Sequence, residues 1–273
     1  MNELTTYAPQ RIVCLTEEPT EMFYLLGEEH RIIGISGFTV RPPRARKEKP
    51  KLSTFLTADI DKIVALKPDL VIGFSDIQAD IAKELISKGI TVWINNHRSV
   101  EEIFKMMVQL GSMVGKTEES LKLVTQIQKN IEEITSANRR KSNKPKVYFE
   151  EWYDPIITGI QWVSELIELA GGIDIYQEHQ HASLAKDRIV ADKNDVVRRN
   201  PDIIIASWCG KMFKKEQLVA RENWNSIDAV KNDFIFEIKS SVILQPGPAC
   251  VTEGIKQIAA IIRKWHSFQE EGG

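Results

Sequence analysis

Apolar positions along this chain switch repeatedly between two spacings, one-sided helical stripes and short runs of β-branched residues. The switch is nearly the same in two places. Ile63-Val64-Ala65-Leu66-Lys67-Pro68-Asp69-Leu70-Val71-Ile72-Gly73 runs from an amphipathic turn through a Pro-Asp corner into a strand. Asp195-Val196-Val197-Arg198-Arg199-Asn200-Pro201-Asp202-Ile203-Ile204-Ile205-Ala206 does so again. Glu21-Met22-Phe23-Tyr24-Leu25-Leu26-Gly27 and Glu165-Leu166-Ile167-Glu168-Leu169-Ala170-Gly171 form a second matching pair. The duplication predicts two similar lobes, and clefts at domain interfaces are where small ligands bind.

In the first half the pattern predicts strands at 11–16, 31–36, 69–74 and 91–94, with helices at 19–26, 59–66 and 77–87. Residues 37–53 carry prolines and cations without periodicity and read as a long loop. Strand–helix alternation of this kind predicts a parallel sheet covered on both faces. Two helices follow, at 100–114 and 117–140. The second has a one-sided stripe of Leu121, Val124, Ile127, Ile131 and Ile134. It reads as a strut of roughly 36 Å at the usual helical rise. The second half returns to alternation, with strands at 146–150, 202–207 and 234–238 and helices at 162–170, 192–199, 214–220 and from 247 onward. The expected organisation is an α/β lobe at 1–115, a backbone helix at 116–141 and a second α/β lobe at 142–273.

Charge and cysteine use narrow the function classes. A formal net charge of −2 and a pI near 6.3 give no reason to expect nucleic acid or an anionic membrane as partner. Cys14, Cys209 and Cys250 are an odd number at no metal-like spacing and read as reduced thiols. No apolar run approaches the ~18 residues of a membrane span. The opening Met-Asn-Glu-Leu-Thr-Thr-Tyr-Ala-Pro-Gln has no secretory pattern, so the expectation is a cytoplasmic protein, or a periplasmic or surface one if a signal has been removed.

Ligands of open α/β sheets bind beyond the carboxyl ends of the strands, so residues following each strand are the candidates. Phe38, Phe55, Phe74, Trp152, Tyr153, Trp162 and Trp208 cluster there, with Arg41 and Arg44 in one lobe and Glu150, Glu151 and Asp154 in the other; Gln245 precedes the last helix. Aromatic walls with a few polar groups suit a large, flat, polar-edged ligand. For each ring the plain alternative is core packing, and for the arginines a solvated basic loop. Glu150, Glu151 and Asp154 would suit a metal or an acid–base pair, and Cys209 a thiol nucleophile, but no histidine accompanies them at a useful spacing. His179-Gln180-His181 is a weak metal pattern in a polar loop. Ser75 is in no nucleophile elbow, and phosphate-loop and dinucleotide fingerprints are absent.

Arg11-Ile12-Val13-Cys14-Leu15-Thr16, the helix from Glu21 to Gly27, Pro42-Pro43 and the Ile63–Gly73 stretch resemble the vitamin B12-binding periplasmic proteins. More broadly they resemble the class III substrate-binding proteins of ABC importers, the helical backbone metal receptor group. Thr158-Gly159, Glu165–Gly172, Val196–Ala206 and the helix after Gly247-Pro248 extend the resemblance over nearly the whole chain. It implies two Rossmann-like lobes with parallel sheets, joined by one long interlobe α-helix. It also implies non-catalytic capture of a corrinoid (cobalamin-like) or related metal chelate between the lobes, with no cofactor required. The other readings are an enzyme acting through Glu150, Glu151 and Asp154 or Cys209, and a bare metal-ion receptor. Arg41 stands where cobalamin binders carry a tyrosine before Pro-Pro, which points to a ligand with acidic side groups. The family's partner is an ABC importer, met through one glutamate per lobe. Here the matching stretches read Ala79-Asp80 and Lys193-Asn194-Asp195, which points to an intracellular relative that serves no importer.

Overall fold

A computed structural model describes residues 7–139, 141 and 143–271, with Arg139 by its backbone only. Arg140, where the second long helix is expected to end, and the first six residues lie outside the described residues. The chain divides into two compact units. One holds the residues up to His97 together with Glu101–Gln126; the other holds Arg98–Val100 and Ile127 onward.

The first unit is built on β1 (Ile12–Cys14), β2 (Ile32–Ser36), β3 (Lys51–Ser53), β4 (Leu70–Phe74) and β5 (Val92–Asn95). All pairings are parallel, in the order β3-β2-β1-β4-β5. Its helices are α1 (Glu17–Leu25), α2 (Ala45–Glu48), α3 (Ile60–Ala65), α4 (Ala79–Ser87) and α5 (Val100–Met113), followed by α6 (Thr117–Arg139), whose residues fall in both units. Asp59 caps α3 by accepting from the Lys62 N–H at 3.1 Å. Val13, Leu15 and Val71 from the strands meet Ile63, Ile81 and Leu85 from α3 and α4 in one buried cluster.

The second unit carries β6 (Lys146–Tyr153), β7 (Ile156–Thr158), β8 (Ile173–Asp174), β9 (Ile189–Val190), β10 (Ile203–Ala206) and β11 (Ile235–Glu237). Here β11, β10 and β6 are parallel, β8 adds to β6, and β7 and β9 pair antiparallel. Its helices are α7 (Gln161–Leu169), α8 (Asn194–Arg199), α9 (Lys215–Val219), α10 (Asp228–Lys231), α11 (Ser240–Ile243) and α12 (Ile255–Glu270).

The two Pro-Asp corners do the same work in each unit. Asp69 accepts from the N–H groups of Gln10 and Arg11 at 2.6 and 3.0 Å, while its own N–H donates to Arg11 O. Asp202 accepts from Lys146 N at 2.7 Å and donates back to Lys146 O at 2.8 Å. Each aspartate brackets the start of the neighbouring strand, so β4 registers on β1 and β10 on β6.

The structure corrects two readings. The stretch 37–53 is not one loop: it contains α2 and β3, and β3 pairs parallel with β2. A strand with Leu52 as its single apolar residue leaves no run to detect. The strand expected at 146–150 extends to Tyr153 and turns into β7, giving the second sheet an antiparallel edge. Glu150, Glu151 and Trp152 are therefore strand residues, not loop residues.

The strand reading of 51–53 is testable at Leu52, which is buried in the first unit's core. Leu52→Ala should cost about 2–5 kcal/mol in urea unfolding, as buried leucine truncations do. A loss below about 0.5 kcal/mol, typical of surface loops, would contradict that placement.

Candidate functional site

At the carboxyl end of β6 and β10, the second unit gathers four rings. Trp152 and Tyr153 lie 5.6 Å apart by centroid, Tyr153 and Trp208 4.9 Å, and Trp208 and Phe213 5.0 Å. The Cys209 N–H donates to Glu151 O, continuing the β6–β10 ladder and holding the following loop over the strand end. The Lys211 ammonium lies 3.5 Å from the Tyr153 ring centroid.

A buried charge supports this platform. Glu150 is 0% exposed and accepts from Tyr148 Oη at 2.8 Å, Trp208 Nε1 at 2.9 Å and Arg221 Nη1 and Nη2 at 2.5 and 3.0 Å. Arg221 also donates to Tyr153 O at 2.7 Å and lies over the Trp224 ring. Burial tends to lower the Arg221 pKa, but its bonds to Glu150 outweigh that and hold it raised. Burial and the Glu150 carboxylate push Tyr148 well above its usual range, so its phenol stays a donor. One network thus orients Trp208 and Tyr153.

The carboxylates of the second unit do not form an acid–base pair. Glu150 is saturated by donors, Glu151 pairs with the buried Arg188 at 2.6 Å, and the exposed Asp154 pairs with Lys193 at 3.2 Å. His179 stacks on Tyr176 and shares a 3.1 Å hydrogen bond with Thr158, while His181 lies beside Gln180. Among the described residues no group of three or more His, Cys, Asp or Glu side chains is arranged to hold a metal ion. Cys209 is exposed.

The remaining candidates separate. Trp162 is 3% exposed and donates to Ile243 O at 2.9 Å, which corrects it to a core residue of the second unit. Trp208 is equally buried, at 3%, but within the ring cluster, and Gln245 is buried just after α11. Trp152 is half-buried and donates to Asp154 O. In the first unit Phe38 and Phe55 stack with centroids 4.6 Å apart, and Phe74 stands edge-on to His97.

Arg41 and Arg44 do not present unpaired charge. Arg41 pairs with Glu21 at 2.9 Å. Arg44 pairs with Glu29 at 2.7 Å and lies over the Tyr24 ring. These residues border a cavity of about 300 Å³ beside Pro42 and Pro43. Arg41 thus has an acid of its own chain beside it.

Sequence reasoning passed over Arg221, Arg188, Phe213 and the role of Lys211. Arg221 and Arg188 are remote in sequence from the glutamates they neutralise, and no local pattern signals them. Phe213 lies just past the strand-end window, and only an allowance for a longer loop would have included it.

Glu17 and Glu18 open α1 at the carboxyl end of β1, and both are buried. Burial, then repulsion from Glu18 and Glu21, pushes Glu17 up to about 8, with the Val40 N–H and Arg46 pulling back. Burial pushes Glu18 up to about 7, against the opposing pull of the Thr16 hydroxyl and its own N–H. One carboxyl oxygen of each has no hydrogen-bond partner. This pair lacks the arginines that neutralise Glu150 and Glu151.

The profile of the periplasmic binding protein family matches residues 12–242, and the chain belongs to that family. It is 24% identical over 260 residues to the uncharacterized ABC transporter substrate-binding lipoprotein YvrC of Bacillus subtilis, covering 93% of this chain and 80% of that protein. It is 22% identical over 264 residues to a vitamin B12-binding protein of Vibrio cholerae, covering 94% and 90%. The periplasmic heme-binding protein RhuT from Roseiflexus, in apo form, superposes with a TM-score of 0.76 at 20% identity, covering 93% of this chain and 99% of that one. The structural likeness establishes the α/β class III binding-protein fold alone. No helix among the described residues is long and apolar enough to cross a membrane.

Two outcomes follow from these charges. Arg221→Ala should destabilise the protein by about 3–5 kcal/mol in urea unfolding, because Glu150 is left buried without its cation. A loss under about 1 kcal/mol would mean that water reaches Glu150. The raised pKa values of Glu17 and Glu18 give the folded state extra protons above the unfolded carboxylate pKa of about 4.3. Their stabilising effect is therefore full below that value and is lost as pH rises to about 8. Calorimetry should show Tm falling between about pH 5 and 8. The Glu17→Gln/Glu18→Gln variant should flatten that slope; an unchanged slope would assign it to other groups.

Proposed function

We propose that this protein is a non-catalytic solute-binding protein that captures a flat metal chelate of the corrinoid or haem class. The observation that carries the reading is the ring series Trp152, Tyr153, Trp208 and Phe213 at the ends of two adjacent strands. Rings of this size supply broad apolar contact while their polar edges stay bonded. Phe38, Phe55 and Phe74 at the carboxyl end of the first sheet are proposed to contribute likewise, with Gln245 as a polar contact.

Family membership and relatives named for vitamin B12 and heme binding support a macrocyclic chelate over other solutes. The same relatives support an ABC importer as the partner, and importer service would put the chain on the outer side of the membrane. We propose no chemical step: Glu150, Glu151 and Asp154 are each engaged by a cation.

Quenching of the six tryptophans by cyanocobalamin, cobinamide, ferric protoporphyrin and ferric siderophores tests the class. At least one macrocycle should bind saturably, and Trp152→Ala should weaken it by about 1–3 kcal/mol, the cost of a central aromatic contact. Saturable binding of none of the macrocycles would rule the reading out.

A further inference from the structure

We infer that Lys211 selects, within the chelate class proposed above, for macrocycles that carry carboxylates on their rim. The inference rests on that binding reading and adds the chemistry of the ligand's edge.

Lys211 follows Gly210, whose φ of +71° turns the loop back over the end of β10. The turn is closed by the Lys211 N–H donating to Trp208 O at 3.3 Å. The side chain then lies across the ring cluster, with its ammonium 3.5 Å from the Tyr153 centroid and 5.8 Å from that of Trp208. No acid pairs with Lys211 among the described residues. The acids close in sequence or on the adjoining strand are taken: Glu150 by Arg221, Glu151 by Arg188 and Asp154 by Lys193. Lys211 is thus a half-buried cation held by ring faces in place of a carboxylate.

That arrangement is weak enough to yield. A flat ligand stacking on Tyr153 needs the ring face that the ammonium covers. The four-carbon stem lets the charge swing to the ligand's edge, and stacking strips water from it there. A carboxylate at that edge completes an ion pair in desolvated surroundings. A neutral amide leaves the cation desolvated without a counter-charge, which is unfavourable. Arg41 and Arg44, on a strand-end loop of the first unit, pair with Glu21 and Glu29, and Lys239, beyond β11, pairs with Glu237. The preference for an acidic edge is therefore carried by Lys211.

Fluorescence titration of the full chain with three probes tests this: ferric protoporphyrin IX, its dimethyl ester, and cyanocobalamin with its amide rim. The free acid should bind about tenfold or more tightly than the diester, as close interfacial charge pairs do. Lys211→Gln should remove that advantage, weakening the free acid about tenfold while the diester binds as well as or better than to the native protein, and Lys211→Arg should restore the preference for the acid. Equal weakening of acid and diester in Lys211→Gln would reduce the lysine to a packing element and overturn the inference. So would a native preference for cyanocobalamin over the free acid, with chelate binding itself intact. Binding of none of the three would instead remove the chelate reading, and this inference with it.

Discussion

The bracket formed by the Pro-Asp corner is the constraint on which each unit depends. A parallel sheet has no hairpin turns to set its register, so some contact outside the strands must do so. Asp69 and Asp202 do this with a side chain that accepts from the N–H groups opening the neighbouring strand and a main chain that donates back. Once β4 is registered on β1 and β10 on β6, the carboxyl ends of those pairs line up. Phe74, Trp152, Tyr153 and Trp208 hang from such an end or from the loop just past it. Burial raises the Asp202 pKa, while the Lys146 N–H draws it back.

From those ends the two units treat the same dipeptide differently. Glu17-Glu18 follows β1 and Glu150-Glu151 sits within β6, and both pairs are shielded from solvent to a large degree. In the second unit Arg221 and Arg188 pair with the two glutamates beneath the ring cluster, and this network fixes the edge of Trp208 and the main chain of Tyr153. In the first unit no arginine among the described residues pairs with either glutamate, and burial raises Glu17 to about 8 and Glu18 to about 7. A buried charge with its donors complete rigidifies what it touches. This is the physical basis for the platform of rings in the second unit, and it explains why those glutamates serve structure and not acid–base chemistry.

The repeats, the strand–helix alternation, the helix at Thr117–Arg139 and the family were all legible in the chain, because each is a local period or a local corner. The strand at 51–53 and the β6–β7 hairpin were not, since neither makes an apolar run and both exist through pairing. Among the candidates, Trp152 and Trp208 do stand together in the ring cluster, whereas Trp162 looked the same in sequence and lies in the core.

By itself, then, the order of residues determined the alternating elements, the two Pro-Asp corners and which side chains follow the strands, because these depend on neighbours a few positions away. Only tertiary structure decided which charges cancel. Glu21 takes Arg41, Glu29 takes Arg44, Arg221 takes Glu150 over 71 positions, and Lys211 is left to lie on a ring. Ion pairing is settled by proximity and burial in the folded chain, and no spacing rule along the sequence encodes either.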